Sequence, residues 1–224
     1  VIEKSGPQYL HLKIANTKNI HYQEISVPPV LLSSAINASI GNRNIDWNSL
    51  SQAFSKNKYP ARKNNVATFK NLFRKQEHKN KFFNVEKKNK SRLFSFPLGL
   101  DERKEGDIKL IRLTTDGKDE NARTPIRLIR ITDLGITYKQ ASDDLLIWIT
   151  SLKEAMPVVN VEIFGLTGLN SIFKLGNTDN DGIVKFSSRV TEGINLLSSG
   201  YESVNRHLGM DEIKYILAVT KDDV

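Results

Sequence analysis

The chain has 224 residues, of which 39% are hydrophobic and 26% charged, with a formal net charge of +8. That hydrophobic share supports packed cores, and no apolar run reaches the roughly 18–20 residues that cross a bilayer. There is no cysteine, which excludes disulfides, thiolate metal sites, cysteine nucleophiles and thioester chemistry from this stretch.

The basicity is local. From Lys56 to Arg92 there are 13 Lys and Arg against only Glu77 and Glu86, a net +11 that leaves −3 for everything else. The chain opens at Val1 with neither Met nor a signal-like apolar segment, so a mature form or an excised fragment is expected. A length near 200 residues allows one large or two small domains.

In chain order, residues 8–15 and 19–27 alternate apolar and polar positions around Asn16-Thr17-Lys18-Asn19, the pattern of a hairpin that Pro28 and Pro29 then stop. The period changes after Asn37. Asn44 or Asp46 can cap a helix bearing Trp47, Leu50 and Phe54, and Val66, Phe69, Leu72 and Phe73 form the apolar face of a second. These read as a helical insertion at about residues 40–83, too short for a core of its own. Strands are predicted at 90–97 and 107–115, followed by a polar loop over 116–124. Seven more are predicted at 126–131, 136–139, 145–150, 158–164, 171–175, 183–187 and 213–220, with turns at fairly regular spacing, as in a β-sandwich. Residues 165–168 read as a turn and 194–207 as a loop with a helical turn. The expected core is Trp148, Ile147, Ile149, Val161, Ile163, Phe164, Val184 and Phe186 in the second half, with Trp47, Phe54, Phe69 and Phe73 anchoring the insertion.

The candidate chemistry is thin. Thr178-Asp179-Asn180-Asp181-Gly182 begins like a Ca²⁺ loop, but position 12 from Asp179 is Val190 rather than Glu, so it reads as a turn. His11, His21, His78 and His207 show no metal-ligand spacing; His11 and His21 would be neighbours only across the first hairpin. No phosphate-cradling glycine loop and no GxSxG elbow occurs. The basic segment interleaves Tyr59, Phe69, Phe73, Phe82 and Phe83 with lysines, a composition that suits single-stranded nucleic acid or an anionic surface. The alternative is that the rings face a core and the lysines form its solvated side. Lys outnumbers Arg there, against base-edge reading. No catalytic, cofactor-binding or metal-binding residue is assigned, no cofactor is expected, and an enzyme is the least expected class.

From residue 125 onward the order of landmarks resembles the macroglobulin-like domains of bacterial alpha-2-macroglobulins. Ile131-Thr132-Asp133-Leu134-Gly135-Ile136 is followed by Leu146-Ile147-Trp148-Ile149-Thr150-Ser151-Leu152, Pro157-Val158, Val161-Glu162-Ile163-Phe164, the 178–182 turn and Tyr215–Val219 with Lys221-Asp222-Asp223. The chain departs from the family pattern at Glu154-Ala155-Met156, where Gly-Lys usually precedes Pro-Val, and at Val159-Asn160. Ile20–Val27 with its two prolines and Gly106-Asp107-Ile108-Lys109-Leu110-Ile111 resemble a preceding domain more loosely. A final strand after Asp223 is missing from the pattern, again as expected of a fragment.

The resemblance implies a mainly β fold of two tandem macroglobulin-like (Ig/fibronectin-III-like) β-sandwiches, 1–124 with the helical insertion and 125–224, the boundary uncertain by the strand at 126–131. It further implies scaffold domains of an endopeptidase inhibitor that traps proteases in the periplasm or cell envelope. The implied partners are the trapped endopeptidases and neighbouring domains of the same chain, with no nucleic acid and with any membrane anchor of the parent lying outside this stretch. The alternatives are a nucleic-acid or anionic-surface module through 56–92, or an Ig-like adhesin module.

Overall fold

A computed structural model describes residues 2–3, 9–15, 17–33, 35–36, 78–85, 91–97, 108–115, 126–168, 171–188, 190–195, 202–221 and 223. Fifteen strands are described: β1 Ile2–Glu3, β2 Tyr9–Ile14, β3 Asn19–Ser26, β4 His78–Asn84, β5 Arg92–Pro97, β6 Ile108–Thr115, β7 Ile126–Thr132, β8 Leu134–Gln140, β9 Asp144–Ser151, β10 Glu162–Thr167, β11 Ser171–Asn177, β12 Ile183–Ser187, β13 Val190–Asn195, β14 Glu202–His207 and β15 Ile213–Val219. Short 3-10 turns lie at Pro29–Leu31 and Met210–Glu212.

Four sheets result. Two are five-stranded, in the orders β1-β7-β6-β3-β4 and β14-β13-β11-β10-β15; a three-stranded sheet runs β12-β9-β8, and β2 pairs with β5. The apolar clusters show how they stack. Tyr22, Ile111, Ile129 and Ile131 of the first five-stranded sheet meet Phe96 of β5. Ile25, Ile108 and Leu110, on that sheet's other face, meet Phe164, Leu166, Ile172, Leu217 and Val219 of the second. The second sheet's far face then packs Ile163, Phe173, Leu175 and Ala218 against Leu145, Ile147, Ile149 and Val184 of the three-stranded sheet. Because side chains alternate along a strand, β10 and β15 divide themselves between two cores. Phe164 and Leu166 go one way and Ile163 the other.

Several expectations change. The strands at 8–15 and 19–27 are not a hairpin: β2 pairs with β5, whereas β3 pairs with β4 and β6. Each needs a different apolar face covered, so the chain turns a corner between layers. The 178–182 turn does the same, since β11 joins β10 and β13 while β12 joins β9. The strand expected at 158–164 runs from Glu162 to Thr167, through the predicted turn. Gly165 sits inside it, with Ile213 and Leu175 side chains 3.4 Å from where a Cβ would stand. In place of a loop over 194–207, β13 and β14 form an antiparallel pair, Val190 opposite His207 through Asn195 opposite Glu202. The last residues of the proposed helical insertion form strand β4, paired with β3; the rest of that segment, with Trp47, Phe54, Phe69 and Phe73, lies outside the described residues. Trp148 does not join the core but is 42% exposed between the fully buried Ile147 and Ile149. Strand β7, which either half might claim on sequence, is hydrogen-bonded to β6 of the first sheet. Among the described residues no helix is long and apolar enough to cross a membrane.

Candidate functional site: the seam between the central sheets

The polar residues singled out in the sequence are occupied with backbone. Asp179 Oδ1 accepts from the amides of Asp181 at 3.0 Å and Ile183 at 2.9 Å. Gly182 closes that turn at φ +72°, with the Ile149 carbonyl 2.6 Å from where a Cβ would stand. Thr178 Oγ1 donates to the Val158 carbonyl at 2.7 Å and accepts from the Val161 amide at 2.9 Å. The turn therefore stitches the two layers together, and its carboxylate is committed to its own backbone.

The histidines are scattered. His11 Nδ1 lies 3.0 Å from Ser95 Oγ across β2–β5. His21 stacks on Phe82, ring centroids 4.2 Å apart, and His207 Nε2 lies 2.9 Å from Ser188 Oγ. Among the described residues no three His, Cys, Asp or Glu groups are placed to hold a metal. Burial, reinforced by the charge of Arg112, holds the His21 imidazole below its ordinary value of 6.5. Of the basic segment, Phe83 packs with Phe96 in a T-shaped pair at 4.4 Å, while Phe82 is 74% exposed. The two described aromatics of that segment thus divide between core and surface, and Tyr59, Phe69 and Phe73 lie outside the described residues.

Two polar clusters stand out, one buried and one partly buried. Glu24 on β3 and Lys109 on β6 pair at 2.5 Å with side chains almost wholly removed from solvent, and Tyr22 donates its hydroxyl proton to the other Glu24 oxygen. All three belong to the layer facing β2–β5. Nothing in the sequence marks the pair beyond a Glu and a Lys inside otherwise apolar strands, where alternation alone would have set them on a wet face.

The second cluster surrounds Asp133, the single residue between β7 and β8. Its amide donates to Asp223 Oδ2 at 2.7 Å, and its carbonyl accepts from the Leu152 amide at 2.7 Å. Its carboxylate accepts from Ser151 Oγ at 2.7 Å and the Lys153 amide at 2.9 Å. The Leu134 amide donates to Thr132 Oγ1 at 3.0 Å. Gly135 completes the motif, because a Cβ there would sit 2.9 Å from Leu152 and 3.0 Å from Thr150 Oγ1. Burial lowers the Arg130 guanidinium from its ordinary range, and the negative charge of Asp223 opposes that shift. Arg130 lies on β7 and Asp223 follows β15, so this electrostatic attraction runs between the two halves.

Residues 131–224 match the bacterial alpha-2-macroglobulin MG3 domain model. The chain therefore carries, over 94 of its 224 residues, the likeness of a bacterial alpha-2-macroglobulin domain. It superposes on native Escherichia coli alpha-2-macroglobulin spanning domains NIE-MG1 with a TM-score of 0.52 at 14% identity, covering 88% of each chain. Against trypsin-activated E. coli alpha-2-macroglobulin the TM-score is 0.59 at 14% identity, covering 91% of this chain and 13% of that one. The cryo-EM native conformation of the E. coli protein gives 0.52 at 15% identity, with 89% and 12% covered. At such identities the likeness is one of fold, and this chain spans about an eighth of the full-length E. coli molecule. A comparison with curated protein sequences finds no match.

Proposed function

We propose that this chain is a two-sandwich scaffold segment of a bacterial alpha-2-macroglobulin-like endopeptidase inhibitor, working in the periplasm or cell envelope. In this reading it holds neighbouring domains of the same polypeptide in place while the whole molecule closes around a protease. The observation that carries it is the family match over residues 131–224. The seam of apolar side chains joining that region to the preceding sheet supports a structural role for both halves. The first sandwich extends through β7 and the second begins at Asp133, eight residues later than the loop-based boundary at 124/125. The segment itself supplies neither catalysis nor thioester chemistry, which a chain without cysteine cannot form.

The test uses the full-length parent mixed with an endopeptidase, following cleavage of a large protein substrate beside a small chromogenic peptide. Protection of the large substrate with continued turnover of the small one is expected of a caged protease. Unchanged cleavage of both would overturn the inhibitor reading.

A further inference from the structure

We infer that the described sheets of the two halves move as one rigid body, so that no large motion of the parent molecule hinges at the join between β7 and β8. The inference concerns the chain itself and stands whether or not the parent traps proteases.

Three observations converge on it. Relative motion of packed units is the default unless the interface between them is large and apolar. Here Ile25 and Leu110 from one sheet interlock with Phe164, Leu166, Leu217 and Val219 from the other, all buried to 2% exposure or less. Side chains packed at interior density slide only by exposing themselves or clashing. Next, a hinge needs a few residues whose φ and ψ are free to change. The crossing between halves is Asp133 alone, held by the four hydrogen bonds to Asp223, Leu152, Ser151 and Lys153. Finally, Asp223, after β15, holds the Asp133 amide at 2.7 Å and attracts Arg130 on β7. Opening the seam would separate the buried arginine from that compensating charge.

The absence of cysteine makes the test direct, since two introduced thiols are the only ones. Leu93 on β5 and Tyr138 on β8 are 70% and 60% exposed and lie in the two outermost layers. Spin labels on the Leu93→Cys, Tyr138→Cys chain should give one narrow distance distribution by pulsed electron resonance. The same pair in the full-length parent should give an unchanged distance before and after endopeptidase treatment. A broad or multiple distribution in the chain, or a shift on treatment, overturns the inference. Constant distances in a parent that fails the caging assay would overturn the inhibitor reading alone.

A seam variant, Leu166→Lys, should broaden the distribution while far-ultraviolet circular dichroism keeps its β signal; a distribution that stays narrow would show that the seam is not what couples the halves. Native-state hydrogen exchange on the unaltered chain covers the case in which that variant does not fold. Amides of β6 and β10 should open together with one free energy, and separate opening free energies would overturn the proposal.

Discussion

At the scale of single residues, the most informative position is Ala155, which holds φ +54° where the family pattern usually carries Gly. A left-handed conformation costs a residue with a Cβ about 1–2 kcal/mol, part of which glycine's larger unfolded-state freedom offsets. Ala155→Gly is therefore expected to stabilise the chain by about 0.5–1 kcal/mol, measured by urea denaturation. Gly182 is the mirror case. It has φ +72° with backbone oxygen 2.6 Å from the missing Cβ, so Gly182→Ala should cost more than about 1 kcal/mol. The buried Glu24–Lys109 pair makes a sharper prediction. Glu24→Ala breaks the pair and takes the acceptor from the Tyr22 hydroxyl, and should cost about 3–5 kcal/mol, whereas the joint replacement Glu24→Leu, Lys109→Met should cost less. His21 adds a pH dependence. Its folded pKa is lowered by burial and by Arg112, so the unfolded chain binds the proton more readily. Its contribution is present above about pH 6.5 and is lost as the pH falls through the lower folded value. His21→Gln should flatten that part of a stability-against-pH curve.

At the scale of elements, β9 shows both what was legible and what was not. Its alternation from Leu145 to Ser151 is plain in the sequence and gives the strand and its pairings with β8 and β12. Alternation also forbids Ile147, Trp148 and Ile149 from sharing a face, yet hydrophobicity alone draws the tryptophan inward. The structure follows geometry: Trp148 stands outside, its Nε1 donating to the Asp181 carbonyl at 3.1 Å. Ile147→Ala or Ile149→Ala should cost about 2–5 kcal/mol, and Trp148→Thr about 1 kcal/mol or less, in the same denaturation assay. The opposite problem hides β10. Ile163 through Thr167 is buried at every position, so no period of two marks a face and its ends are hard to place. Strands buried on both sides read this way in general. Corners such as Asn16–Asn19 and Asp179–Gly182 carry ordinary turn residues, and local turn chemistry does not say whether the next strand pairs back or leaves for another sheet.

At the scale of the whole molecule, the layered arrangement was only half visible. The macroglobulin landmarks of the second half were readable because they are turn and corner residues: Asp133 held by hydrogen bonds, Gly135 by close packing and Gly182 by positive φ. The seam was not, since its members lie far apart in sequence and none is unusual by itself. One prediction belongs here. Residues 133–224 produced alone would present Phe164, Leu166, Ile172, Leu217 and Val219 to water. A contiguous apolar face of that kind drives association. The shortened chain should therefore sediment as dimers or larger species, and the 224-residue chain should not do so through this face.

The sharing of one sheet between two cores also bears on how the protein is made. Strands β3, β6 and β7 leave the ribosome first, with Ile25, Ile108 and Leu110 on a face that only β10, β11 and β15 later cover. Completing β15 takes synthesis from Thr132 to Val219, a wait of roughly 5–20 s at ordinary elongation rates of about 5–20 residues per second. Until those later strands are made and docked, the chain carries an apolar, half-finished wall open to association with its neighbours.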